Sequence, residues 1–229
     1  MSKTNNIITF TITDNLYNKL KRRFTEYKQK VNHYYKLDDL IYCLLLRYHT
    51  LNSLGHQWGI PTNIKDQFTD NLHINFECFA SSLNHYYKYY CSIFYDIEKY
   101  FMSIGYFQNV NYIKGFFMAN PPYDIDLLHN MVNKFITSLD KSRENLSFIF
   151  GLPTWKIDET YKLPLTVKNN KYCIYQIVFK DYQLLWYDFI KEDFHRIPSS
   201  TRSVISNNID KTDNTIDKII QNWIKYSKK

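Results

Sequence analysis

The chain has 229 residues, 45% of them hydrophobic and 22% charged, with a net charge of +7 and a pI near 9.0. That is enough apolar material for one substantial core and too much for a disordered chain, while the basic excess favours a polyanionic partner such as nucleic acid. The opening Met1 to Asn6 is polar and the longest strictly apolar stretch, Leu40 to Leu46, is too short to cross a bilayer, so an intracellular soluble protein with no membrane partner is expected.

Leu16, Leu20, Phe24, Tyr27 and Val31 recur at helical spacing and predict a first helix. Lys19, Lys21, Arg22, Arg23, Lys28 and Lys30 make it the most basic part of the chain; they form either a solvated helix face or an RNA contact. A second helix is predicted over Leu37 to Leu51, completing an antiparallel helical preface at residues 1–55, with a boundary at Gly55. The remainder, residues 56–229, is expected to hold the α/β core. Thr62 or Asn63 caps a short helix toward Phe68, and Leu72 to Phe79 alternates as a first strand. Ser81 to Asn84 then turn into a helix running toward Phe94. The tyrosine pairs at 34–35, 86–87 and 89–90 lie among basic residues and suit base stacking, although a chain rich in Asn, Lys, Ile and Tyr also reflects an AT-rich genome.

Gly115 to Ala119 reads as the end of a buried strand, and the turn Asn120-Pro121-Pro122-Tyr123 follows it. Two consecutive prolines forbid both strand pairing and helix there, which pins Asn120 at the strand's carboxyl end, where open α/β sheets bind ligands. These residue types suit transfer of a methyl group to an exocyclic amine. The Asn120 oxygen can accept one amine proton and the Pro121 carbonyl the other, while Tyr123 offers a face on which a base can stack. Beyond the turn Leu128, Met131, Val132, Phe135, Ile136 and Leu139 stripe a helix.

Strands are predicted at Leu146 to Gly151, Tyr172 to Phe179 and Arg202 to Ser206, with Lys156 to Asn170 as a loop long enough to form a lid, and Ile216 to Ile224 as a last helix. Strands alternating with helices argue for an α/β, doubly wound sheet with helices on both faces. The four cysteines, Cys43, Cys78, Cys91 and Cys173, show no metal spacing and are expected to be reduced and buried, with no metal site. None of the five glycines falls between Glu77 and Asn84, so phosphate cradling after the first strand is not expected, whereas Ala80, Ser81 and Ser82 suit a donor without phosphate.

Five blocks carry a specific likeness: Phe76-Glu77-Cys78-Phe79-Ala80-Ser81-Ser82-Leu83-Asn84-His85-Tyr86, Tyr90-Cys91, Asn120-Pro121-Pro122-Tyr123, Leu146-Ser147-Phe148-Ile149 and Leu152-Pro153-Thr154-Trp155. Between about Arg47 and Asn207 the chain resembles the catalytic domain of the phosphorylated-CTD-interacting-factor family, as a shortened member. The resemblance implies a Rossmann-like class I methyltransferase sheet. It implies that S-adenosylmethionine methylates the N6 amine of the first transcribed adenosine beside the cap of mRNA, in cytoplasm or nucleus. By the same likeness Asn120, Pro121, Pro122 and Tyr123 form the base clamp, and Glu77, Cys78, Phe79, Ala80, Ser81, Asn84 and Asp96 bind the donor. Pro153 and Trp155 wall the adenine pocket, although Trp155 reads equally as a core aromatic.

Where the family's donor loop carries a glycine this chain has Met102, and the acidic residues after the clamp are displaced to Asp124 and Asp126. Those departures keep a second reading open: a catalytically inactive methyltransferase-like module that binds RNA or stabilises a partner protein, or pairs with a second copy. A DNA adenine methyltransferase shares the clamp chemistry but must flip its base from a duplex.

Overall fold

The computed structural model describes residues 8–51, 57–154, 161–208 and 213–228; Gly55 and Trp155 lie outside them. The elements in chain order are α1 (Asp14–Lys28), α2 (Leu37–Thr50), β1 (Trp58–Gly59), α3 (Thr62–Leu72), β2 (Phe76–Glu77), β3 (Tyr89–Tyr90) and α4 (Tyr95–Glu98). They continue as β4 (Gly115–Ala119), α5 (Ile125–Lys141), β5 (Leu146–Pro153), α6 (Leu163–Lys168), β6 (Cys173–Phe179), β7 (Leu185–Asp188), β8 (Asp193–Arg196), β9 (Ser200–Ser206) and α7 (Asp213–Tyr226).

Six strands form a mixed sheet in the order β3-β2-β4-β5-β9-β6. β3, β2, β4 and β5 pair in parallel, and β9 is antiparallel to both of its neighbours. The period-two alternation of strand side chains separates two cores. Phe117, Phe148 and Phe150 face one way, against α5 and α6; Phe116, Met118, Ile149 and Val204 face the other, against α3 and α7. The protein is therefore α/β with a helix-covered sheet. A third core joins α1 and α2 to Leu83, Ile97 and Phe101, so the helical preface packs on the segment that follows β2.

Several expected elements differ. Leu72 to Phe76 alternates in burial and Glu77 and Cys78 are then buried too, but Leu72 ends α3, His73 turns left-handed at φ 56°, and the Ile74 amide reaches back to the Phe68 carbonyl; only Phe76 and Glu77 form strand β2. The helix expected from Asn84 toward Phe94 does not form. The chain turns at Ser81–His85 and extends into β3, because the Glu77 carboxylate accepts the amides of Tyr86 (2.7 Å) and Tyr87 (3.3 Å). Pro61, not Thr62 or Asn63, stands at the cap position of α3, which runs past Phe68 to Leu72. Of the lid expected over residues 156–170, residues 156–160 lie outside the described residues and Leu163–Lys168 is helical, as α6. A small antiparallel sheet, β1-β7-β8, has no counterpart in the sequence reading.

Among the basic residues Lys19 and Arg23 turn inward, the first to the carbonyls of Leu83 and His85 and the second to that of Lys88. Tyr87 and Tyr90 are buried, while Tyr34 is 96% exposed. Cys43 is exposed rather than buried, and Cys173 is only partly covered. No described helix is long and apolar enough to cross a membrane.

Candidate functional site

The order of strands reverses at β2 and β4: from β2 the chain moves outward to β3, and from β4 it moves the other way to β5. A crevice opens beyond the carboxyl ends at such a point. Glu77 is the register partner of Met118, and the Cys78 amide donates to the Met118 carbonyl at 2.8 Å, so the segment Glu77–Asn84 and the turn Asn120–Tyr123 emerge side by side. The turn is held at its far end by Asp124, whose side chain caps α5 by accepting the Leu127 amide at 2.8 Å. The displaced acidic residue is thus a helix cap.

A cavity of about 620 Å³ lies on these two segments. Glu77, Cys78, Phe79, Ala80, Ser81 and Asn84 line it on one side and Asn120, Pro121, Pro122 and Tyr123 on another. Trp58, Gly59 and Trp186 close it from the small sheet, and Phe107 and Ile60 add apolar wall. Asp96 does not line it. Its carboxylate pairs with both terminal nitrogens of Arg47 at 2.7 Å on the surface, which holds it below the usual carboxylate range. Pro153 is also elsewhere, buried in the ladder opposite Ser200. Trp155 is outside the described residues.

The charged groups at the cavity are neutralised locally. Lys65 Nζ lies 2.5 Å from Glu77 Oε1, both side chains being buried, and the other Glu77 oxygen holds the two tyrosine amides described above. Behind the Ser81 turn, Glu98 is fully buried; it accepts the Ser82 amide at 2.5 Å, the Ser82 hydroxyl at 2.9 Å and the Tyr48 hydroxyl at 2.8 Å. Burial raises its pKa nonetheless. Ser81 ties the turn internally through Asn84 and donates to Gln57 at 2.7 Å. Among the described residues no group of three or more His, Cys, Asp or Glu is placed to hold a metal ion.

Asn120 Oδ1 accepts a hydrogen bond from Arg202 Nη2 at 3.2 Å. Burial pushes this guanidinium down to about 10, which leaves it charged at neutral pH. Sequence reading missed Arg202, Lys65, Trp58 and Trp186. Arg202 gave no clear signal, because the predicted strand starts at Arg202 and sets its charge at an edge, whereas β9 begins at Ser200 and buries it. Trp58 and Trp186 carried none either, since the small sheet that brings β1 beside β7 was itself unread.

An α/β protein with a ligand-sized cavity at the sheet's switch point, edged by an Asn-Pro-Pro-Tyr turn, is the class that this fold and site define. Its family follows from comparison: the model described as "Phosphorylated CTD interacting factor 1 WW domain" matches residues 14–188, and the chain belongs to that family. It is 33% identical over 149 residues to "mRNA (2'-O-methyladenosine-N(6)-)-methyltransferase" of Mus musculus and 32% identical over 149 residues to the protein of the same name from Homo sapiens. Each match covers 62% of this chain and 21% of the relative, so the chain spans about a fifth of the length of these curated relatives.

Proposed function

We propose that this chain is an S-adenosylmethionine-dependent RNA adenosine N6-methyltransferase that acts on the first transcribed adenosine beside the cap of mRNA. Residues 1–55 would form its helical preface and 56–229 a Rossmann-like class I methyltransferase domain. The reading is carried by one observation: the Asn120–Tyr123 turn and the Glu77–Asn84 segment share one cavity at the switch point. The names of the two curated relatives support it, as does the parallel arrangement of β3, β2, β4 and β5.

The cavity fits such a donor in size and chemistry. Its volume falls within the roughly 300–1,000 Å³ of small-molecule sites, its lysine is engaged by Glu77, and its turn lacks the glycines that cradle phosphate. Glu77, Cys78, Phe79, Ala80, Ser81 and Asn84 would hold the donor, with Trp155 as a further wall of the adenine pocket. When bound, S-adenosylmethionine supplies an electrophilic methyl group on a sulfonium. Asn120 Oδ1 and the Pro121 carbonyl accept the two protons of the base amine and so orient its nitrogen; Tyr123 stacks on the ring. The apolar walls exclude water from the reacting atoms, and the rate enhancement comes from positioning, with no covalent intermediate on a side chain.

The test is incorporation of labelled methyl from the donor into capped and uncapped RNA beginning with adenosine. Label in the N6 position of capped RNA is expected, and no incorporation into either RNA would overturn the reading. Asn120→Ala is expected to lower kcat by at least about 100-fold while circular dichroism stays unchanged, because the amine loses an acceptor that orients it.

A further inference from the structure

Arg202 is 1% exposed at the centre of β9, and no carboxylate among the described residues pairs with it. Its guanidinium packs against the rings of Trp186 at 4.9 Å and Trp223 at 5.4 Å. Among the described residues Nε and Nη1 have no hydrogen-bond partner, and Nη2 donates to Asn120 Oδ1. Room for the group comes from Gly151, its register partner on β5, where a Cβ would lie 1.6 Å from Nη1. Two other arginines show what a structural role looks like in this protein: Arg23 and Arg196 each bond backbone carbonyls. A buried cation with two idle nitrogens is costly, and cation–π contact offsets only part of that cost. Its side-chain hydrogen bond goes to the residue at the centre of the clamp.

We propose that Arg202 is a positioning residue, which locks the Asn120 carboxamide in the one flip that presents Oδ1 to the substrate amine. The two flips of an asparagine are nearly isosteric, and only hydrogen bonding separates them. A guanidinium has donors and no acceptor, so it can bond Oδ1 and repels the amide NH2. The base amine is also a donor at this point. In the wrong flip an NH2 would meet it and methyl transfer would lack its orienting acceptor. Arg202 fills one lone pair of Oδ1 and leaves the second for the amine, and Gly151 and the two tryptophans keep the guanidinium from moving away. This inference rests on the methyltransferase reading for its consequence, but not for its geometry.

The experiment compares wild type with Arg202→Met, Arg202→Lys and Gly151→Ala. In Arg202→Met, kcat on RNA should fall about 100-fold, the scale of a misoriented reacting group, while the S-adenosylmethionine Kd measured by calorimetry stays within threefold. Arg202→Lys, which keeps a donor, should recover part of kcat; a loss of kcat and donor affinity in parallel with thermal stability would mark a merely structural role and overturn the proposal. So would an Arg202→Met enzyme with kcat within threefold of wild type. If Arg202→Met does not fold, Gly151→Ala displaces the guanidinium without removing it, with the same expected loss. A neutron-diffraction contact in which an Arg202 Nη2 hydrogen points at Asn120 Oδ1, with the carboxamide NH2 turned away, decides the geometry without any variant, and an NH2 that faces the guanidinium overturns the proposal. Wild type that methylates no RNA yet shows this contact would instead sink the functional reading alone.

Discussion

Met102 adopts φ 72° and ψ 21°, a left-handed conformation that glycine enters without strain and other residues enter at a cost of about 1 kcal/mol or more. The family's glycine at this point thus has a backbone reason, and Met102 does not line the cavity, so the departure bears on stability rather than on donor contact. Met102→Gly should leave urea stability within about 1 kcal/mol of wild type or raise it, whereas the β-branched Met102→Val should lower it by more than about 1 kcal/mol. Lys65 and Glu77 offer a sharper case, being a close ion pair with both partners buried. Lys65→Met leaves a carboxylate buried without its cation, and urea unfolding should report a loss of about 3 to 5 kcal/mol. An unchanged midpoint would mean that water reaches Glu77.

The helical preface has a task in the site. From α1, Lys19 and Arg23 hold the carbonyls of Leu83, His85 and Lys88, on either side of and beyond the cavity-lining Asn84, in the stretch that leads into β3. Burial, opposed by Glu77 and reinforced by Lys65 and Arg23, pushes Lys19 from its ordinary 10.5 down to about 7. Between those values the unfolded chain binds more protons than the folded one, so this group's contribution to stability rises with pH from about 7 toward 10.5. Lys19→Met should reduce the gain in urea stability between pH 7 and about pH 9; an equal gain in both proteins would show that the ammonium is solvated. Long elements were legible because periodicity reports packing: α2, α5 and α7 bury the stripe their sequences show, α1 buries Leu16, Leu20 and Phe24 but ends at Lys28 and leaves Val31 exposed, and β5, β6 and β9 lie within a few residues of their predicted bounds. Around β2 the same logic misled. Leu72, Ile74 and Phe76 are all buried, yet burial alternation does not distinguish a ladder from an irregular chain whose amides bond elsewhere. Likewise β7 and β8 turn through Asp188, whose side chain accepts the amides of Ile190 and Lys191, and through Glu192 at φ 54°, so a conformation that favours glycine is held by residues that do not announce it. At the candidate site the Asn-Pro-Pro-Tyr turn was readable from its own residues. Arg202, Gly151 and Trp186 were not, because their meaning lies in contacts made across strands distant in sequence.

Over the whole molecule the charge of +7 bears on association. Single-stranded RNA should bind with an affinity that falls about twentyfold between 50 and 200 mM salt if three phosphates are contacted, and filter binding over that range tests it. A flat salt response would place recognition in base contacts alone. The position of β9 has another consequence. This strand, far along the chain, sits between β5 and β6, and α7 then covers one face of the sheet. During synthesis β5 and β6 therefore emerge with facing edges that have nothing to pair with until residues 200–206 leave the ribosome. The nascent protein passes through a stage at which most of its residues are made and its sheet is still open in the middle, and it is there that chaperone capture or misassembly would act.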